Sequence, residues 1–116
     1  MKIAFDCQGT LMDETKVRDF FQWCVSKGFD VYIWSSSFGY AKNTAEALGH
    51  PMEKTITKIS KFDVDMDESV YMDICVDDCY PKFLAAKKFI RVHELLALND
   101  FANYEKIVKE NNHLKE

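Results

Sequence analysis

Residues 1–13 read MKIAFDCQGTLMD. Lys2 to Asp6 has the composition of a buried strand with an aspartate at its carboxyl end, and a turn containing Gly9 and Thr10 follows at once. Beyond the turn, Val17, Phe20, Phe21, Cys24 and Val25 recur at the spacing of one helix face, with Asp13 placed as the N-cap and Gly28 just past the end. A strand that closes on a carboxylate therefore feeds a helix.

The alternation continues along the chain. Phe29 to Ser35 (FDVYIWS) is rich in β-branched and aromatic residues and closes on Ser35, Ser36 and Ser37, which suit the cap of a second helix. That helix is expected to bury Ala41, Thr44, Ala45 and Leu48 and to stop at Gly49. Thr55 to Ile59 (TITKI) reads as a third strand, and the acidic KFDVDMDES after it as irregular structure. Tyr71 to Val76 (YMDICV) is a fourth strand ending at Asp77 and Asp78. Lys82 to Lys87 is expected to form a short helix, and Phe89 to Val92 (FIRV) a fifth strand. A last helix from about Asp100 carries Phe101, Tyr104, Ile107 and Val108 inward, and the tail after Asn111 is expected to fray. Strands alternating with helices at this spacing imply right-handed crossovers and a parallel α/β sheet covered on both faces. Ligands of such sheets bind outside the carboxyl ends of the strands.

Composition bounds what those ends can do. With 116 residues, 47% hydrophobic and 14% aromatic, the chain is expected to bury one core, giving a single domain over 1–116. A formal net charge of −4 offers no basic footprint for broad nucleic-acid or membrane-surface binding. The first residues enter a strand directly, and no apolar run reaches membrane-spanning length, so a cytosolic protein is expected. Cys7, Cys24, Cys75 and Cys79 form no CxxC pair and are expected to be reduced thiols without a metal.

The order of the polar residues is the informative feature. Asp6-x-x-Gly9-Thr10-Leu11 closes the first strand, Ser35 the second, a lysine lies near the third, and Asp77-Asp78 closes the fourth. This order resembles the four motifs of the haloacid dehalogenase superfamily over residues 2 to roughly 92. The resemblance implies a Rossmann-like three-layer domain with a sheet ordered 5-4-1-2-3, about five strands and helices on both faces. It also implies a Mg2+-dependent phosphohydrolase or phosphoryl-transfer enzyme that works through an aspartyl-phosphate. Carried over, Asp6 is the nucleophile, and Mg2+ is held by Asp6, the main-chain carbonyl of Gln8, and Asp77 or Asp78. Gly9, Thr10, Ser35 and Ser36 cradle the phosphate, and Lys58 or Lys61, with Lys54 as a third choice, neutralises its remaining charge. A carboxylate attacks a phosphate dianion only if a cation lies between them, and Mg2+ suits oxygen ligands of this kind.

One position departs from the pattern. Phosphatases of that family carry a second aspartate two residues after the nucleophile, where this chain has Gln8. An amide neither gives nor takes a proton near neutral pH, so a general acid–base share of roughly 10²–10⁴-fold should be missing. Slow hydrolysis favouring good leaving groups, phosphoryl transfer with a long-lived aspartyl-phosphate, or binding without turnover remain as outcomes. The dehalogenase branch also lacks the second acid but uses no metal, and the acid pair argues against it. A phospho-accepting receiver domain fits the length but pairs its acids after the first strand, not late in the chain.

Each feature has a plainer reading. An aspartate at a strand end and a Gly-Thr after it are common turn chemistry, as is Asp77-Asp78. Ser35 to Ser37 serve equally as a helix cap. Asp63, Asp65, Asp67 and Glu68 lack the central glycine and closing glutamate of a calcium loop and read as a solvated loop. Cys7 and Cys79 flank the proposed site as small thiols, and His93 and His113 have no evident partner. Trp23 and Trp34 read as packing residues, with Trp34 beside the pocket at Ser35 as a second reading. The intervals Asp6 to Ser35 and Ser35 to Lys58 leave no room for a cap domain. The crevice is therefore expected to be open, to admit a phosphorylated small molecule or macromolecule, or to be closed by a second copy in a homo-oligomer. The alternative to an enzyme is an inactive module of the same fold that binds a phosphorylated ligand or partner.

Overall fold

Short runs of Ile, Val, Phe and Trp build five strands in the computed structural model, which describes residues 1–78, 82–98 and 101–109. They are β1 (Lys2–Phe5), β2 (Asp30–Ser35), β3 (Thr55–Thr57), β4 (Ile74–Asp77) and β5 (Phe89–Arg91). All pair in parallel in the order β3-β2-β1-β4-β5, the expected order viewed from the other edge. Ile3 faces Val31 on one side and Ile74 on the other, and Phe5 faces Ile33 and Val76. That register brings the ends of β1 and β4 level, because the Asp6 N–H donates to the Val76 carbonyl at 3.0 Å.

Strands buried on both faces need apolar side chains pointing both ways, and here alternate residues do so. Ile3, Phe5, Val31, Ile33, Ile74 and Val76 share one core with the helices α1 (Thr15–Ser26), α2 (Phe38–Leu48), α3 (Val92–Leu96) and α4 (Phe101–Lys109). Phe5 packs edge-on against Phe21, with ring centroids 5.2 Å apart, and at a tilt against Phe20, at 5.8 Å. Truncating Phe20 to alanine would cost about 3–5 kcal/mol, since a fully buried ring would leave a cavity. The expected inward Val25 is exposed, and Trp23 is buried in its stead against Phe20, Phe29 and Tyr104. The docked α4 widens the apolar stripe of α1 towards Trp23, and sequence periodicity within α1 carries no sign of that neighbour.

The opposite face of the sheet is covered differently. Ala4, Trp34, Cys75 and Phe89 lie beneath Met72, Leu84 and Ala86, with Ile56 and Ile59 at the margin. The helix expected over Lys82 to Lys87 is not formed. Its backbone bridges other segments instead: the Ala85 N–H donates to Ile59 O at 2.7 Å, and the Lys87 N–H to Met72 O at 2.9 Å. Among the described residues, the third layer carries short 3-10 turns, at Lys61–Val64 and Glu68–Val70, with bridged extended chain. Trp34 is fully buried in this layer, and so is a packing residue.

Several element ends also move. β3 stops at Thr57 and β4 starts only at Ile74. Val92 opens α3, whose first turn is capped by the Glu94 carboxylate accepting the Arg91 N–H at 3.0 Å. Asp13 is not a helix cap, because Glu14 holds that position. Lys88 is buried, and its ammonium donates to the carbonyls of Ile107 and Val108 at 2.5 and 3.0 Å, fixing the last turn of α4 to the sheet. Asp100, Cys79, His113, the side chain of Phe101 and the tail after Asn111 lie outside the described residues. Among the described residues, no helix is long and apolar enough to cross a membrane.

Candidate active site

The chain leaves β1 at Asp6 in an extended conformation and folds into a tight turn over Cys7–Leu11. The Leu11 N–H returns to Asp6 O at 3.3 Å and the Met12 N–H to Cys7 O at 2.9 Å. Gly9 sits in the left-handed region at φ 72°, and the Asp78 carboxylate occupies the space where a Cβ would stand. Only glycine satisfies both conditions. Thr10 donates its hydroxyl to Asp6 Oδ2 at 3.2 Å, and Asp13 accepts the Gly9 N–H at 2.5 Å. Asp13 thus braces the turn, a role that its distance of four residues from Gly9 suggests only once the turn is seen.

The cation comes from the end of β3. Pairing of Thr57 with Ser35 continues one residue further, where the Lys58 N–H donates to Ser35 O at 3.0 Å. The Lys58 ammonium then lies 2.9 Å from Asp6 Oδ1 and 3.0 Å from Asp77 Oδ2. Oxygens of Asp6, Asp77 and Asp78 all lie within 4.8 Å of one another. Both carboxylates that Lys58 binds are buried, with side chains 9% and 1% exposed, while Asp78 faces solvent.

These positions shift the charges. Burial opposes the charge on Lys58, but the hydrogen bonds and negative charges of Asp6 and Asp77 outweigh it and hold the ammonium well above its ordinary pKa. The hydrogen bond with Asp77, then burial and the charge of Asp77, push the Asp78 carboxyl up. Burial raises the Cys7 and Cys75 thiols, so neither is poised as a thiolate nucleophile.

No protein-family model, curated protein or solved structure matches this chain. The geometry alone sorts the expected residues. It brings together Asp6, Gly9, Thr10, Lys58, Asp77 and Asp78. Ser35 joins them through its carbonyl, and its hydroxyl accepts the Ser37 N–H at 3.2 Å at the start of α2. Gln8 and Ser36 have exposed side chains beside these residues in the chain. Lys54 is drawn away to Asp30, at 2.5 Å, over the Tyr32 ring. Lys61 belongs to the outer layer, where its N–H donates to Phe83 O at 2.7 Å.

Three carboxylates of this kind make a hard oxygen donor set, which suits a small divalent cation better than a soft one. Beside Asp77, the Asp78 carboxyl is harder to ionise than an ordinary aspartate. Lys58 supplies one fixed positive charge beside it.

Proposed function

We propose that this chain is a small capless phosphohydrolase or phosphoryl-transfer enzyme of the haloacid dehalogenase type, with Asp6 as nucleophile and Mg2+ as cofactor. One arrangement supports this reading: Asp6, Asp77 and Asp78 converge at the carboxyl ends of adjacent central strands, with Lys58 bonded to the first two.

Two contacts of Asp6 support that role. Thr10 and Lys58 each hold one of its carboxylate oxygens, which fixes the carboxylate plane before substrate arrives. Asp6, Asp77, Asp78 and the Gln8 carbonyl would hold the metal, which when bound screens the repulsion between carboxylate and phosphate. Lys58 adds positive charge where equatorial phosphoryl oxygens would lie. An Asp6 oxygen forms a bond to phosphorus as the bond to the leaving oxygen breaks. Water then attacks phosphorus, releases inorganic phosphate and restores the carboxylate. Gln8 can orient the leaving group but gives it no proton, so groups that leave as stable anions are favoured.

A second reading keeps the site but not the turnover. The exposed Gln8 amide at the acid–base position supports a module that binds a phosphorylated ligand or partner in the same crevice. Phosphate release from p-nitrophenyl phosphate and acetyl phosphate, with Mg2+ or with EDTA, separates the two. Metal-dependent turnover that disappears in Asp6→Asn supports the enzyme. No turnover in the native chain, with turnover gained in Gln8→Asp, supports the binding module. Turnover unaffected by Asp6→Asn removes Asp6 as nucleophile.

A further inference from the structure

The outer layer carries a surface that the crevice chemistry does not use. Its segment 61–70, KFDVDMDESV, alternates large apolar residues with acids. Phe62 is 75% exposed, Met66 55% and Val70 43%, and Phe83 from the bridged neighbouring segment is 57% exposed. They belong to one local structure: the Lys61 N–H binds Phe83 O at 2.7 Å, the Met66 N–H returns to Lys61 O at 2.9 Å, and Ser60 bridges Leu84. Asp65 and Met66 both take the left-handed backbone, at φ 51° and 62°. Asp63, Asp65, Asp67 and Glu68 are all exposed, against Lys61 in the segment and the exposed Lys82 beside Phe83; Asp63 also accepts the Ser60 N–H, and Asp67 the Ser69 N–H and hydroxyl.

Scattered exposed apolar residues are ordinary, but two phenylalanines, a methionine and a valine exposed on two successive turns and on the segment bonded to them mark a contact surface. Its charge selects the occupant. Anionic lipid and nucleic acid are repelled by four carboxylates, and a second copy of a chain with formal net charge −4 is disfavoured. We propose that this surface docks a polypeptide segment in which basic residues alternate with apolar ones. The apolar side chains would cover Phe62, Met66, Val70 and Phe83, and lysines or arginines would meet Asp63, Asp65, Asp67 and Glu68. The site is separate from turnover at Asp6, so it stands whichever reading of the crevice holds.

The probe is a fluorescein-labelled synthetic peptide alternating lysine or arginine with leucine or phenylalanine, beside a counterpart with glutamate at the basic positions. Anisotropy is read with the full chain at about 150 mM salt, where weak nonspecific attraction is screened. The basic peptide is expected to bind and the acidic one not. Phe62→Ser/Phe83→Ser should weaken binding about tenfold or more. Asp63→Asn/Asp65→Asn/Asp67→Asn should weaken it similarly and flatten its salt dependence. Glu46→Gln/Glu53→Gln, which removes exposed acids elsewhere, should stay within about twofold of native. Unchanged circular dichroism confirms that each variant folds. Binding that ignores the phenylalanine pair, or falls equally in the Glu46/Glu53 variant, overturns the proposal. So does absence of binding, preferential capture by anionic vesicles, or sedimentation showing a dimer that the phenylalanine pair abolishes.

Discussion

The Lys58 ammonium lies 2.9 Å from Asp6 Oδ1, and this contact ties the end of β3 to the end of β1 across the intervening β2. The same ammonium holds Asp77 at 3.0 Å. Two buried carboxylates therefore share one cation, and removing it leaves both uncompensated. Lys58→Met is expected to lower stability at neutral pH by about 3–5 kcal/mol, measured by urea unfolding. Because the folded pKa of Lys58 is raised, its contribution is complete below its unfolded value of about 10.4 and fades as pH rises through the higher folded value. The gap between native and Lys58→Met should stay level from neutral pH to about pH 10 and narrow above it. A gap that closes well below pH 10 would contradict the pairing.

Gly9 links backbone conformation to the acid cluster. Gly9→Ala adds a methyl where the Asp78 carboxylate lies and forces a side chain into the left-handed region. A stability loss of about 1–2 kcal/mol is expected from the backbone alone. Mg2+ binding, followed by titration calorimetry, should fall further than this loss explains, because Asp78 is displaced. Gly9→Ala with native metal affinity would show that Asp78 is not a ligand.

In the proposed metal site, Asp78 would make Mg2+ binding depend on pH. Its raised carboxyl stays protonated to a higher pH than an ordinary aspartate, and a protonated carboxyl is a poor ligand. Mg2+ affinity in the native chain should weaken as pH falls, starting at a higher pH than the titration of an ordinary aspartate would give. Asp78→Asn should bind less tightly at higher pH and lose much of this dependence. Parallel pH profiles for the two proteins would remove Asp78 from the metal site.

Lys88 offers a test of the fold away from the crevice. Its ammonium donates to the Ile107 and Val108 carbonyls in the last described turn of α4. Lys88→Met should cost about 1–3 kcal/mol and speed amide exchange within α4 before the sheet. Equal protection of α4 in both proteins would count against the cap.

The strands were the most legible part of the chain, because a run such as KIAF followed by an acid has few other interpretations. Asp6 and Asp77 followed from the same pattern, an apolar run that stops at a carboxylate. Lys58 could be narrowed only to three lysines, since what selects it is the bond of its N–H to Ser35, a contact between distant segments. The stretch 82–87 has Ala, Leu and Lys, good helix formers, yet its N–H groups are taken by Ile59 and Met72. Local propensity gave way there to partners remote in sequence. The short α3 was hidden for the opposite reason, being fused in sequence to β5.

The strand order has a consequence for how the chain is made. Residues 1–57 emerge ahead of β4 and contain β1, α1, β2, α2 and β3, which leaves β1 at the rim of a half-sheet with one flank unpaired until β4 follows. Only when β4 emerges and slots in beside β1 does the Asp6 N–H find Val76, and only then does Lys58 gain its second carboxylate. The ion-pair triad is thus a late event in biogenesis, and nascent chains that stop short of Asp77 lack it.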